Sequence, residues 1–298
     1  SAVTGAPARD GVERDQVRLA LRGVGEALLQ RRQEGDAMVL ERGAAAIGGA
    51  LPALPAKGLA VAVSQPRIDG DFWRRVASSP ANGQSDAGGP PPLTQISLKT
   101  PLLHLFGRDF NQIELTALTR DNGWQIALKS QEAEGDAFWQ GAGKGMVKAN
   151  LKRLTLPAET PGSLAPPGGV SELIDSLPGL DVQVADLSVG GKKVGRLEAR
   201  AHNERGLWLL DNLSLQNPDG GLKGKGQWQP QGGQRTQLDF ELHANDVGRL
   251  LERFGYVNAV RRGTASLQGN LAWNGGLTAI HYPSLTGDMK LHADKGQF

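Results

Sequence analysis

Gln112-Ile113-Glu114-Leu115-Thr116-Ala117 alternates polar and apolar residues, turns at Arg120-Asp121-Asn122-Gly123, and resumes as Gly123-Trp124-Gln125-Ile126-Ala127-Leu128-Lys129. A period of two puts Ile113, Leu115, Trp124, Ile126 and Leu128 on one side of a pleated ribbon and the polar residues on the other. Asn-Gly between two such runs is the strongest short-range signal for a hairpin, because both positions tolerate positive φ. The stretch therefore reads as two antiparallel strands with one buried face.

The same pattern extends in both directions. Met146–Leu156, Leu180–Val189, Gly195–His202, Leu207–Leu215, Gly221–Trp228, Gln237–Ala244, Thr264–Trp273 and Met289–Ala293 read as strands. Gln16–Arg22, Glu26–Arg32, Ala37–Arg42 and Gly58–Ser64 follow the pattern less cleanly. Turn signals separate them: Gly190-Gly191, Pro218-Asp219-Gly220-Gly221, Gln231-Gly232-Gly233 and Asn274-Gly275-Gly276. Glycine makes up 41 of 298 residues, about twice the usual share of about 7%. It reads here as a count of hairpins.

Helices are expected to be few and short. Asp246–Gly255 carries an aspartate placed to cap, apolar residues at helical spacing, and a glycine to stop it. Asp69–Ala77 and Ser171–Ser176 are weaker cases. An internal repeat is expected from Phe110–Trp124 and Val194–Trp208, where Ile113 matches Leu197 and Ala117 matches Ala201. Ser78–Pro92 and Pro157–Gly169 are rich in Pro, Gly and Ser and read as mobile loops within a single sheet section covering residues 1–298.

Composition excludes several classes of function. Lysine plus arginine number 33 against 31 acidic residues, for a net charge of +2. That balance speaks against nucleic acid as a partner, which needs a clear basic excess. There is no cysteine, which rules out disulfides, thiolate metal sites and cysteine nucleophiles. The five histidines include no pair at helical metal-binding spacing, and no Gly-x-Ser-x-Gly elbow is present. Gly141–Gly145 superficially resembles a phosphate loop but lacks the Lys-Ser/Thr ending, so it reads as a glycine-rich hairpin. No catalytic residue, metal site or cofactor is expected. The uncharged stretch Gly43–Ala56 is too short and too proline-broken to span a bilayer. The sequence starts at Ser1 without a signal peptide and stops in mid-strand at Phe298, so it is expected to be a section of a longer chain.

The C-terminal half carries a more specific signal. Leu177-Pro-Gly-Leu-Asp-Val-Gln-Val-Ala-Asp-Leu187, Gly195-Arg-Leu-Glu-Ala199, Leu215-Gln-Asn-Pro-Asp219, Leu238-Asp-Phe240 and Asn245-Asp-Val-Gly-Arg-Leu-Leu251 occur in order. Phe254-Gly-Tyr256, Gly269-Asn-Leu-Ala-Trp273 and Ala293-Asp-Lys-Gly-Gln-Phe298 complete the series. In order and spacing they resemble the YhdP family of AsmA-like proteins from Gram-negative bacteria. The resemblance implies a mainly β fold: a long, strongly curved antiparallel sheet forming a groove, with a few short helices. It implies a non-enzymatic section of a periplasmic lipid conduit, anchored to the inner membrane by a segment outside this sequence. Its partners would be phospholipid acyl chains, the inner and outer membranes through regions outside the sequence, and envelope proteins.

Parity alone nominates the inward residues: Ile113, Leu115, Trp124, Ile126, Leu128, Val182, Val184, Leu197, Leu207, Leu209, Leu238, Phe240, Leu242, Leu267, Leu271, Met289 and Leu291. A lipid crossing water must shield its chains, at roughly 0.8 kcal/mol per CH₂, and an apolar sheet face would do so. From alternation alone the same residues read as the closed core of a sandwich or barrel. That core would suit an envelope scaffold or protein-interaction module. The resemblance implies an open, lipid-lining face instead.

Overall fold

The hairpin around Asp121-Asn122 forms from β8 (Arg108–Arg120) and β9 (Gly123–Lys129). Asp121 and Asn122 take φ of 45° and 62°, the double positive φ that matches the right-handed twist of the strands it joins. A second hairpin repeats it 84 positions later. There β13 (Lys192–Glu204) has the same 13-residue length as β8, and Arg205 and Gly206 both have positive φ. Trp124 lies opposite Thr119, and Trp208 lies opposite Asn203.

The computed structural model describes residues 2–9, 12–71, 91–105, 108–141, 144–156, 177–230, 233–256, 258, 260, 262–276 and 280–294. The fold is mainly β, and in each unit the strands pair in succession as an open sheet, not a closed barrel. The chain divides into two compact units, residues 1–131 and 132–298.

In the first unit, β1 (Ala2–Arg9), β2 (Val12–Leu21), β3 (Gly25–Glu34), β4 (Ala37–Ile47) and β5 (Gly58–Ser64) lie side by side in chain order. Next comes β7 (Leu93–Leu105), with the short β6 (Arg67–Asp69) on the same edge as β5, and then β8 and β9. The second unit runs β10 (Ala133–Gln140), β11 (Met146–Leu156), β12 (Gly179–Val189), β13, β14 (Leu207–Asn217), β15 (Gly220–Gln229), β16 (Arg235–Ala244), β17 (Thr264–Asn274) and β18 (Thr286–Asp294). Each pairs with the next.

Antiparallel pairing predominates, as expected, but β4–β5, β5–β7, β6–β7 and β11–β12 are parallel. A parallel neighbour needs a crossover where a hairpin would suffice otherwise. Residues 48–57 provide one such crossover. The Arg42 guanidinium donates to Pro55 O at 3.0 Å, drawing the crossover over the strand face that holds buried Ala44, Ala46 and Ala60. The expected loops Ser78–Pro92 and Pro157–Gly169 lie outside the described residues except for 91–92. The expected helices Asp69–Ala77, beyond Asp71, and Ser171–Ser176 also lie outside them.

One helix was read correctly. α1 (Val247–Arg253) is capped by Asp246, whose carboxylate accepts from Arg249 N at 3.0 Å, and it ends at Gly255 with φ of 92°.

Glycine does more than mark turns. Gly226 sits within β15, and a Cβ there would lie 2.3 Å from Gln237 O of the neighbouring strand. Gly195 in β13 has φ of 127°, and its Cβ would come within 2.1 Å of Gln216 O. Only a residue without a Cβ lets backbones come this close, so the excess of glycine counts close approaches inside strands as well as hairpins.

Candidate functional site: an apolar sheet face

Partners across a ladder share a face, so register sorts every side chain to one side of the sheet or the other. In the second unit one row runs Leu151–Val184–Leu197–Leu215–Leu222–Leu242–Leu267–Leu291 across eight consecutive strands. Beside it runs Ala149–Val182–Ala199–Leu213–Gly224–Phe240–Gly269–Met289. A third row is Val147–Leu180–Ala201–Leu210–Gly226–Leu238–Leu271–Gly287. No row holds a polar side chain.

The first unit has the same construction over β2–β5 and β7–β9. Leu19–Ala27–Ala45–Val61–Ile96–Ala117–Ile126 forms one row, and Leu21–Gly25–Ile47–Val63–Leu98–Leu115–Leu128 the next. By alternation Asp15 and Arg31 lie on this face, just past Val17 and Leu29. Arg31 Nε donates to Asp15 Oδ1 at 2.9 Å. That bond holds the Asp15 carboxyl below its ordinary range and raises the Arg31 guanidinium.

The reverse face is polar. Lys225, Asp239, Asn270 and Asp288 form one row, and Lys223, Glu241, Gln268 and Lys290 another. Cross-strand Lys–Asp and Lys–Glu neighbours suit a solvated surface. Two open hollows of about 630 and 710 Å³ lie along β14–β18, and their linings take in Leu210, Gly226, Leu238 and Leu271 of the third apolar row and Gly224, Phe240, Gly269 and Met289 of the second together with Lys225, Asp239 and Asn270.

Exposure varies along the apolar face. Leu238, Phe240, Leu242, Leu267 and Leu271 are half-buried, while Met289 and Leu291 are 64% and 67% exposed. Full burial is concentrated towards the strand ends. At one end Trp208, Trp228 and Trp273 are buried, and the indoles of Trp208 and Trp273 donate to Pro178 O at 3.1 Å and Gly276 O at 3.0 Å. Towards the other end Val184, Leu187 and Val194 form a core cluster. α1 braces that end. Arg253 bonds Asp219 through Nε at 2.8 Å and through NH2, and the Lys192 ammonium donates to Phe254 O.

Fifteen of the seventeen residues nominated by parity share the apolar face of their unit. Leu207 and Leu209 do not. They pair with Glu204 and His202, and Leu209 also pairs with Gln227, which places them on the polar face. The cause is a bulge at Asp211–Asn212, where the registers of β14 with both β13 and β15 slip by one residue. Parity carried back from Leu213 and Leu215 through that extra residue selects the wrong side, and Trp208 and Leu210 face inward instead. Leu151, Leu222 and Val147 were also missed, although each lies in a strand whose alternation was legible.

Among the described residues no group of three His, Cys, Asp or Glu side chains gathers to hold a metal, and no helix is long and apolar enough to cross a membrane.

These features define a class: a β-sheet protein whose two units each carry an apolar face, that of the second unit open to solvent in part and backed by a charged reverse. The chain belongs to the YhdP family, whose family model matches residues 6–298. It is similar to the intermembrane phospholipid transporter YhdP of Escherichia coli (strain K12), with 23% identity over 273 residues. That match takes in 88% of this chain and 21% of the relative, so the chain spans about a fifth of the relative's length. No solved structure matches.

Proposed function

We propose that this chain is a section of a periplasmic conduit that carries glycerophospholipid between the inner and outer membranes and so supports the outer-membrane permeability barrier. The reading rests on the three apolar rows that cross eight strands without a polar side chain. A chain of methylenes gains roughly 0.8 kcal/mol for each CH₂ it lays against such a face. Moving along the rows exchanges one leucine for the next, so no single position traps it. The similarity to a phospholipid transporter supports the same reading. Anchoring to the inner membrane and contact with envelope proteins would fall to regions of a longer protein.

A scaffold with a dry, closed core is the competing reading. It calls for full burial of the inward residues, whereas Leu238, Phe240 and Leu242 are half-buried. Photo-crosslinkers decide between the two. At Leu115 or Phe240 they should capture phospholipid, and at their strand neighbours Glu114 or Asp239 they should not. Equal labelling of both faces, or of neither, would remove the lipid-lining assignment.

A further inference from the structure

β18 lies along β17 residue for residue, from Ala272↔Thr286 to Thr264↔Asp294, without a bulge. Among the described residues no strand pairs with its other side, and all of its residues are exposed. A straight edge of this kind offers a row of N–H and C=O groups to another strand. Proteins blunt such edges with bulges, prolines or charges. Here only charges are present, in Asp288, Lys290 and Asp294.

The two sides of the strand differ. Met289 and Leu291 end two of the apolar rows and are 64% and 67% exposed. On the reverse side Asp288 stands opposite Asn270, and Lys290 stands opposite Gln268. Neither charge meets another across that ladder, and neither forms an ion pair among the described residues. Both are left for whatever lies along the free edge.

A second copy of the chain fits that edge. Two copies of one strand meet antiparallel about a two-fold axis. For the apolar face of one to continue that of the other, the axis must pass through a residue. Centred on Asp288 or Lys290, like charges face each other. Centred on Leu291, Asp288 faces Asp294 and Lys290 faces His292. Centred on His292, only residues 290–294 overlap. Centred on Met289, residues 286–292 overlap, and Asp288 of each copy faces Lys290 of the other. Met289 then faces Met289, and Leu291 faces Gly287, which has no side chain to obstruct it.

We propose that β18 is the contact through which two copies of this chain pair, edge to edge and antiparallel about Met289, with an Asp288–Lys290 pair on each side of the axis. The apolar rows then run from one copy into the other. The pairing does not depend on what the apolar face carries.

Sedimentation equilibrium at up to about 1 mM protein should find a dimer, a range chosen because an edge contact belongs to the small, transient class of interface. Lys290→Asp sets carboxylates against Asp288 of the second copy and should raise the dissociation constant about tenfold. Asp288→Lys/Lys290→Asp exchanges the signs and should restore the dimer. Asn270 and Gln268 are uncharged, so neither variant conflicts with β17, and circular dichroism should show unchanged β content. The chain has no cysteine, so a single introduced thiol reads the register. Met289→Cys should oxidise to a linked dimer, because residue 289 faces its counterpart at about 4.5–5.5 Å between Cα atoms. Leu291→Cys should not, because its counterpart lies about 13 Å further along the strand. A monomer throughout, a dimer indifferent to Lys290→Asp, no rescue by the exchanged pair, or linkage through Leu291→Cys in place of Met289→Cys would each overturn the proposal. None of these outcomes bears on phospholipid capture, so the lipid-lining reading stands or falls separately.

Discussion

Arg253 grips Asp219 from the last turn of α1, reaching the turn between β14 and β15 with Nε 2.8 Å from Oδ2. The same guanidinium donates to Lys193 O at 3.3 Å, so one side chain ties the helix to two neighbouring hairpins. The bond joins residues 34 apart and secures the strand end that carries Val184, Leu187 and Val194.

Removing one partner of that bond should cost more than removing both. Asp219 is 7% exposed, and Arg253→Met would leave its carboxylate without its cation. Between the small value of an exposed pair and the large cost of stranding a buried charge, about 2 kcal/mol is expected. Asp219→Asn/Arg253→Met should recover part of the loss. Urea denaturation of the single and double variants measures both, and equal losses would show that the charge pair contributes nothing.

The bulge in β14 makes a prediction about adjacent residues. A photo-crosslinker at Leu210 should capture phospholipid and one at Leu209 should not, because the register puts Leu210 beside Gly226 on the apolar face and Leu209 beside Gln227 on the polar one. Capture at Leu209 alone would mean that the bulge lies elsewhere.

Gly195 and Gly233 separate close approach from backbone conformation. Both have positive φ, but a Cβ at Gly195 would sit 2.1 Å from Gln216 O, whereas one at Gly233 meets nothing within 4 Å. Gly233→Ala should cost about 1 kcal/mol from conformation alone. Gly195→Ala should cost about 3 kcal/mol, as strain and a displaced ladder add to it. Chemical denaturation of the two variants checks the difference.

His202 gives the fold a pH dependence of definite sign. Its raised value in the folded state comes first from the hydrogen bond to Asp211 and then from Glu204. The folded state therefore favours the imidazolium. This contribution is fully present below the unfolded value of about 6.5 and is lost as pH rises through the raised folded value. Across that window the urea midpoint should fall with rising pH in the unaltered chain, and His202→Gln should flatten this component. A histidine NMR titration with its midpoint at or below 6.5 would contradict it. With 41% of its side chain exposed, His202 is partly screened by solvent and the effect should be modest.

Most strands were legible because alternation is local: a half-buried strand writes its face into every second residue. β5, β9 and β11 fall at the limits read from the sequence. β7 was missed because Pro101 interrupts its pattern. β10 was missed because Glu-Gly-Asp near its start carries little β preference and the register slips at Gly135. β1 and β6 also escaped; β6 is only three residues long, too short to show a period.

By itself the sequence determined the class of fold, the hairpin turns, the cap of α1 and the face of most inward residues. All of these depend on neighbours a few positions apart. Tertiary structure decided the parallel ladders, the side on which Leu207 and Leu209 lie, and the glycines that let neighbouring backbones approach within strands. Each depends on which backbone lies alongside, and one inserted residue is enough to reverse a strand's parity without changing its composition.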